Sequence, residues 1–443
     1  MSRKPVPFAV DEGWKRLCCL QVECPRVCRS TVTEPETTMH QHSLFALLAV
    51  MLFVNGSPAQ QSETSRESKS RMIDFVDPSY GGRVRQVFNP AGDEHNLYHY
   101  RAVFNADNSR VLGIETPKGS TDYQVTLYDG DGQRLRKLFT QKEYDWTVAW
   151  DRHDPRYFYT HKNGTVYRYD AAAGRAESLR SFQNPSVAGP SGLSLNEKGD
   201  RILLRMGNNT VRTYGLPAME DERICRIEIP DGWQANWDKL RFTGHKDYFA
   251  LTFEPRQPPM GGANSQRPLT RIYDGVSGEL FHTLEAVTVG HHDFSCDGKF
   301  AYVEGYFNQG PGMRLRVVNL DGSDNRVVFT APREKLRFVR NYHITWPAGV
   351  RDWFVLSFFP QTGRLPASYE PYLDEILQVF VDGTHKVLAR TGTTCDTTFW
   401  AQPQQSVSSD GTRVLFHTNG NCTVGQIGCE SSGTIDQCIL RVK

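Results

Sequence analysis

From Tyr100 onward the chain alternates short runs of apolar and polar residues at period two, interrupted by polar turns, and the arrangement recurs at a steady spacing. Seven segments share it: "YRAVFNADNSRVLGIE", "WTVAWDRHDPRYFYTH", "SGLSLNEKGDRILLRM", "DKLRFTGHKDYFALTF", "HHDFSCDGKFAYVEGY", "YHITWPAGVRDWFVLSF" and "PQQSVSSDGTRVLFHT". In each, an apolar anchor precedes a turn built from Asn, Asp, Gly or Lys, and a second alternating run follows. That is the pattern of two half-buried strands joined by a tight connection. The anchors are Phe104, Trp150, Leu195, Phe242, Phe294, Trp346 and Val407, spaced by roughly 45 to 60 residues, the length of one propeller blade.

A second hairpin follows most copies, as in "YQVTLYDGDGQRLRKLF", "TRIYDGVSGELFHTL" and "LQVFVDGTHKVLA", with Asp-Gly turns that supply positive φ. Two hairpins per repeat make a four-stranded blade, and seven repeats make an all-β, seven-bladed β-propeller over residues 83–443. The last copy lacks its outermost strand, whereas a spare strand, "RVRQVFN" (Arg83–Asn89), precedes the first. This N-terminal strand is expected to complete the last blade and leave no open edge.

Alternation also sorts the innermost strands. The anchor and the residue two before it (Ala102, Val148, Leu193, Leu240, Ile344) are apolar and expected to pack between blades. The complementary positions face the central channel. Three before each anchor stand Arg101, Thr147, Gly192, Lys239, His291, His343 and Gln404. Five before stand His99, Asp145, Pro190, Trp237, Val289, Asn341 and Gln402. The phase separates the adjacent histidines: His291 faces the channel, while His292, like Gln405, faces a neighbouring blade. A channel holding water accounts for polarity, but not for this choice of imidazole, amide and cation.

Formal net charge is +1, from 51 Lys+Arg and 50 Asp+Glu, which gives no concentrated basic face for nucleic acid. An apolar run, "SLFALLAVMLFV", is too short to span a bilayer comfortably and precedes a polar stretch with Ser57-Pro58-Ala59 as a cleavage site. Residues 39–59 therefore read as a signal peptide, 1–38 as an extension ahead of the true start at Met39, and 60–82 as a flexible linker. A secreted or periplasmic monomer without a stable membrane span is expected. Cys395, Cys422, Cys429 and Cys438 crowd the C-terminal repeat, which predicts one or two disulfides bracing the closing blade. Cys225 and Cys296 lie in non-neighbouring blades and are expected as free thiols.

The turns in "FNADNSRVLG", "FSCDGKFAYVEG" and "VSSDGTRVLFHT" resemble those of TolB-like propellers. More narrowly, His and Gln residues opening the inner strands of late blades resemble the oligogalacturonate lyase family. The resemblance implies a divalent metal, manganese or else calcium, held over the channel by His291 and His343 with Gln404 or Gln402. It departs in the last blade, where this chain has "QPQQS" and the family has histidines, and glutamine is a weaker ligand. The implied chemistry is β-elimination on a uronate of an acidic oligosaccharide or glycan. Metal, Arg101 or Lys239 would stabilise charge, and His99, His343 or Lys239 would act as base. Trp237, Trp400 and Tyr98 would stack on sugar rings, with Asn341 and Arg241 completing substrate contacts. The other function class open to this fold is a non-catalytic propeller that binds a glycan or a protein.

Overall fold

The computed structural model describes residues 71–442, apart from 89–91, 142–147, 183–191, 208, 257–267, 286–290, 305–311, 361–371, 394–400 and 421–430. These residues form seven antiparallel sheets, one per repeat. Blade 4, for example, runs Trp233–Phe242, Tyr248–Pro255, Leu269–Asp274 and Leu280–Leu284 in that spatial order. Helical structure among the described residues is limited to short 3-10 pieces such as Arg333–Lys335. None of their helices is long and apolar enough to cross a membrane.

In four blades the turn after the inner strand has a shared latch. The residue following the anchor accepts the backbone N–H of the returning strand: Asn105 from Arg110 at 2.9 Å, Asn196 from Arg201 at 3.0 Å, Ser295 from Lys299 at 2.8 Å and Ser408 from Arg413 at 2.9 Å. Short polar side chains at a turn satisfy backbone donors that no strand partner reaches. Gly298 and Gly411, at φ +85° and +73°, take the left-handed position these turns require.

Apolar packing lies in the seams between consecutive blades. One cluster joins Val317 and Phe329 of blade 5 to Ile344, Phe354 and Leu377 of blade 6. Another joins Leu203 and Val211 of blade 3 to Leu240 and Phe249 of blade 4. Sheets that face each other around a ring cover their apolar faces mutually, and the polar positions are left for the axis.

Ring closure follows the sequence expectation. Arg83–Phe88 pairs antiparallel with the C-terminal strand Ser431–Arg441, in register from Arg83↔Arg441 to Val87↔Gln437. Blade 7 carries one strand more than expected, because Arg71–Val76 pairs outside Arg83–Phe88. This part of 60–82 is therefore a hairpin arm and not linker: "RMIDFV" is a β-competent run, and Asp74 bonds Arg85 through two oxygens at 2.6 and 2.9 Å. The disulfide expectation fails at Cys438, a wholly buried free thiol in the closing strand. The alternation there aims its side chain into an apolar cluster with Val414 and Phe416. Cys225 and Cys296 are free thiols, as expected. Cys395, Cys422 and Cys429, the leader and the signal peptide lie outside the described residues.

Removing residues 1–89 strips the closing strand and leaves Ser431–Arg441 as an open edge. Losing its five paired positions at about 1 kcal/mol each is expected to lower the melting temperature by about 10 °C. Unchanged melting by calorimetry would show that the ring does not depend on this strand.

Candidate active site

The channel is built around a loop from blade 1. His95 pairs with Ile114 and Phe104 with Val111, so the eight residues Asn96–Val103 face only Leu112 and Gly113. The surplus leaves the sheet and meets every other blade. Trp150 of blade 2 donates Nε1–H to Val103 O at 2.9 Å, and Arg101 donates to Leu193 O of blade 3 at 2.8 Å. Tyr100 donates its hydroxyl to Asp238 O of blade 4 at 2.9 Å. The Tyr98 ring lies 6.2 Å from that of His291 of blade 5, Thr345 of blade 6 donates to His99 O at 2.9 Å, and Ser406 of blade 7 donates to Tyr98 O at 3.1 Å. Tyr98 has φ +99°, an uncommon conformation for a tyrosine that costs ~1–3 kcal/mol and persists where surroundings fix it.

His99 and Arg101 are thus on a channel loop and not on the inner strand that alternation predicts. The same insertion shifts the phase, so Ala102 is exposed and Val103 fills the buried position expected of it. In the other blades the phase holds: Val148, Leu193, Leu240 and Ile344 are buried between sheets.

His99, His291 and His343 converge from blades 1, 5 and 6. Their ring centroids are 5.0 Å (99–291), 4.5 Å (99–343) and 4.4 Å (291–343) apart. His99 and His343 are wholly buried; His291 retains partial exposure. Burial is the main cause that holds all three well below the ordinary 6.5, so they are neutral imidazoles at pH 7. For His99 the neighbouring His343, His291, Lys239 and Arg241 add to it; for His291, Lys239; for His343, His291, Lys239 and His417. Both nitrogens of His99 and of His343, and Nδ1 of His291, are buried without a hydrogen-bond partner. Buried polar atoms in such numbers mark a place built for water, an ion or a ligand.

Beside the rings stand Lys239, Arg241 and Arg101, all buried. Arg241 donates Nη2–H to His292 O at 2.7 Å and to Asp293 Oδ1 at 3.3 Å, while its Nε and Nη1 are buried without partners. Asp293 also accepts the Trp346 N–H at 2.7 Å, and burial raises its carboxyl to about 6. Burial, reinforced by Arg241, lowers the Lys239 ammonium to about 8.

The adjacent histidines separate. His292 turns away from the trio and packs its ring 4.9 Å from Phe300 and 5.8 Å from Phe294 within blade 5. Gln405 likewise lies in the seam, donating to His343 O at 2.9 Å and accepting from Ser357. Gln404 and Gln402 are buried on the entry to blade 7, where Gln404 O accepts from Asn96 Nδ2 at 2.6 Å. Asn341 is half-buried, and its side chain hydrogen-bonds His291, which makes it a support of that ring. Trp237 is half-buried under Arg205, 4.6 Å from its ring. Trp400 lies outside the described residues.

Imidazole nitrogen is a donor type that a transition ion takes, at ~2.0–2.1 Å from the metal. Calcium is disfavoured, since it takes about six to eight oxygens. Among the described residues, however, no group of three His, Cys, Asp or Glu is arranged to hold a metal ion.

Sequence reasoning missed Tyr100, whose ring carries three cations, and the pair His95 and His417. His417 accepts the Asn96 N–H at 2.6 Å where the loop leaves blade 1. It sits on a second strand, which a search confined to inner strands does not reach.

Similar folds occur among solved structures. An oligogalacturonate lyase in complex with manganese superposes with a TM-score of 0.59 at 13% identity, covering 85% of this chain and 97% of that one. An oligogalacturonate lyase from Vibrio parahaemolyticus gives the same values. No family model and no curated protein matches the sequence.

Proposed function

We propose that this protein is an exported lyase that cleaves uronate-containing oligosaccharides by β-elimination in the channel. The observation that carries this reading is the convergence of three neutral imidazoles, a lysine lowered to about 8 and two guanidiniums on one buried point. The likeness in fold to oligogalacturonate lyases supports it.

β-Elimination removes the proton on the carbon next to the carboxylate, forms a double bond and expels the glycosidic oxygen from the neighbouring carbon. The carbon acid is weak until its carboxylate is neutralised, and Arg101 and Arg241 supply fixed charge where negative charge develops. The base needs a pKa near the working pH. Lys239 at about 8 suits this better than imidazoles held far below 6.5, which are feeble bases. His99, His291 and His343 are not arranged as a ligand set as they stand; a transition ion such as manganese, if these rings turned to hold it, would supply further positive charge at the substrate carboxylate. Trp237, half-buried, offers a face for a sugar ring; Tyr98, expected to do the same, is buried against His99 and Tyr100.

The test is absorbance at 235 nm from unsaturated uronides on a panel of acidic polysaccharides and oligosaccharides, with and without chelator. Activity is expected on at least one, falling at least tenfold with chelator, recovering with manganese and falling comparably in His291→Ala. Activity indifferent to chelator removes the metal from the proposal. No product from any acidic glycan removes the lyase. A binding propeller, favoured by the near-complete enclosure of His99 and His343, then takes its place.

A further inference from the structure

Tyr100 has no part in the chemistry above, yet three cations stand on its ring. Arg241 lies 4.7 Å from the ring centroid, Lys239 5.0 Å and Arg101 5.4 Å. The three come from two elements, the channel loop of blade 1 and the inner strand of blade 4, and they meet at the ring. Like charges gathered at such distances in a buried place repel one another, so something must offset the repulsion. Arg241 pairs with Asp293 at 3.3 Å and donates to His292 O, Asp238 and Glu254 favour the Lys239 ammonium, and Arg101 is anchored to Leu193 O, whereas the Tyr100 ring meets all three cations. The aromatic quadrupole attracts a cation over its face, more strongly when water is excluded.

We infer that Tyr100 is the positioning residue of an oxyanion subsite: its ring gathers Arg101, Lys239 and Arg241 so that together they take a carboxylate or comparable oxyanion. The inference rests on reading the channel as a site for an acidic sugar. Two further features support it. Arg241 presents buried Nε and Nη1 with no partner, which are donors left for a ligand. The Tyr100 hydroxyl donates to Asp238 O at 2.9 Å, which ties the ring to the inner strand of blade 4 that carries Lys239 and Arg241.

Fluorinated phenylalanines at position 100 test this, because fluorine withdraws the ring's face charge with little change in volume. Binding of galacturonate at pH 7 is measured by calorimetry for the parent, Tyr100→Phe and the mono-, di- and trifluorinated series. Tyr100→Phe is expected to bind within about threefold of the parent, and each added fluorine to weaken binding by a further factor of about two to three, with melting temperatures unchanged. Tyr100→Leu, where it folds, is expected to lose at least tenfold. A flat fluorine series overturns the inference, as does a parent that does not bind galacturonate. Calorimetry needs no turnover, so a graded series without lyase product sinks only the lyase, and lyase product with a flat series sinks only the role of Tyr100.

Discussion

Lys239→Met is expected to lower kcat/KM for unsaturated-uronide formation by about 10²–10⁴-fold, the usual worth of a general base. The decisive companion is Lys239→Arg, which keeps the charge on the Tyr100 ring but cannot give up its proton near neutral pH. If Lys239 is the base, the arginine variant falls as far as the methionine one. If it serves only as a cation, the arginine variant retains most activity. The pH profile gives an independent reading. Burial and Arg241 lower the lysine to about 8, so a base there makes kcat/KM rise from pH 7 and level off above about 8. A purely electrostatic Lys239 makes it fall over the same interval. Both outcomes are read in one titration of the parent, and the variants then assign the group responsible.

Period-two alternation places a side chain on a face wherever a strand runs uninterrupted, and so it assigned His291, His343 and Lys239 to the channel and His292 to the seam. The closing strand was legible because one repeat lacked a strand and another was left over. Alternation fails where residues are inserted. The six extra residues in Asn96–Val103 break the phase of blade 1, so His99 reaches the channel by a loop that pattern alone does not reveal. For the same reason Tyr100, even-numbered between two channel positions, reads as a packing residue and proves to be the ring at the centre of the cations. Cys438 shows the converse limit: clustering in sequence predicts a disulfide, but strand alternation directs the thiol into an apolar seam where no second cysteine stands among the described residues.

Acid should unfold this protein steeply between about pH 6.5 and 5, because buried histidines in the channel and in the blades stay neutral in the fold. His95, His99, His292 and His343 are all at most 2% exposed, and burial holds each below the 6.5 of a free imidazole, His95 at about 3. A histidine whose folded pKa is depressed binds its proton first in the unfolded chain. Below 6.5 the unfolded state therefore carries more protons and gains on the native state as pH falls, by about 1.4 kcal/mol per pH unit for each fully buried group. Four such groups amount to about 5–6 kcal/mol per unit, comparable to the whole stability of an ordinary domain. Carboxyls raised by burial oppose this. Asp293 and Asp374, at about 6, bind protons first in the folded protein as pH falls from about 6 towards 3.8 and return about half of the loss; Asp93 and Glu254, also raised, act in the same sense, while carboxylates held low, such as Asp74 beside Arg85, add to the loss at lower pH. The balance remains destabilising. Urea titrations at pH 7.0, 6.0 and 5.5 are expected to give a midpoint that drops steadily, with His292→Phe, whose ring already packs against Phe294 and Phe300, losing less on acidification than the parent. A midpoint flat across that range would mean that the imidazoles take up protons in the folded state, and with them charge in the channel, which is incompatible with a site that keeps them neutral.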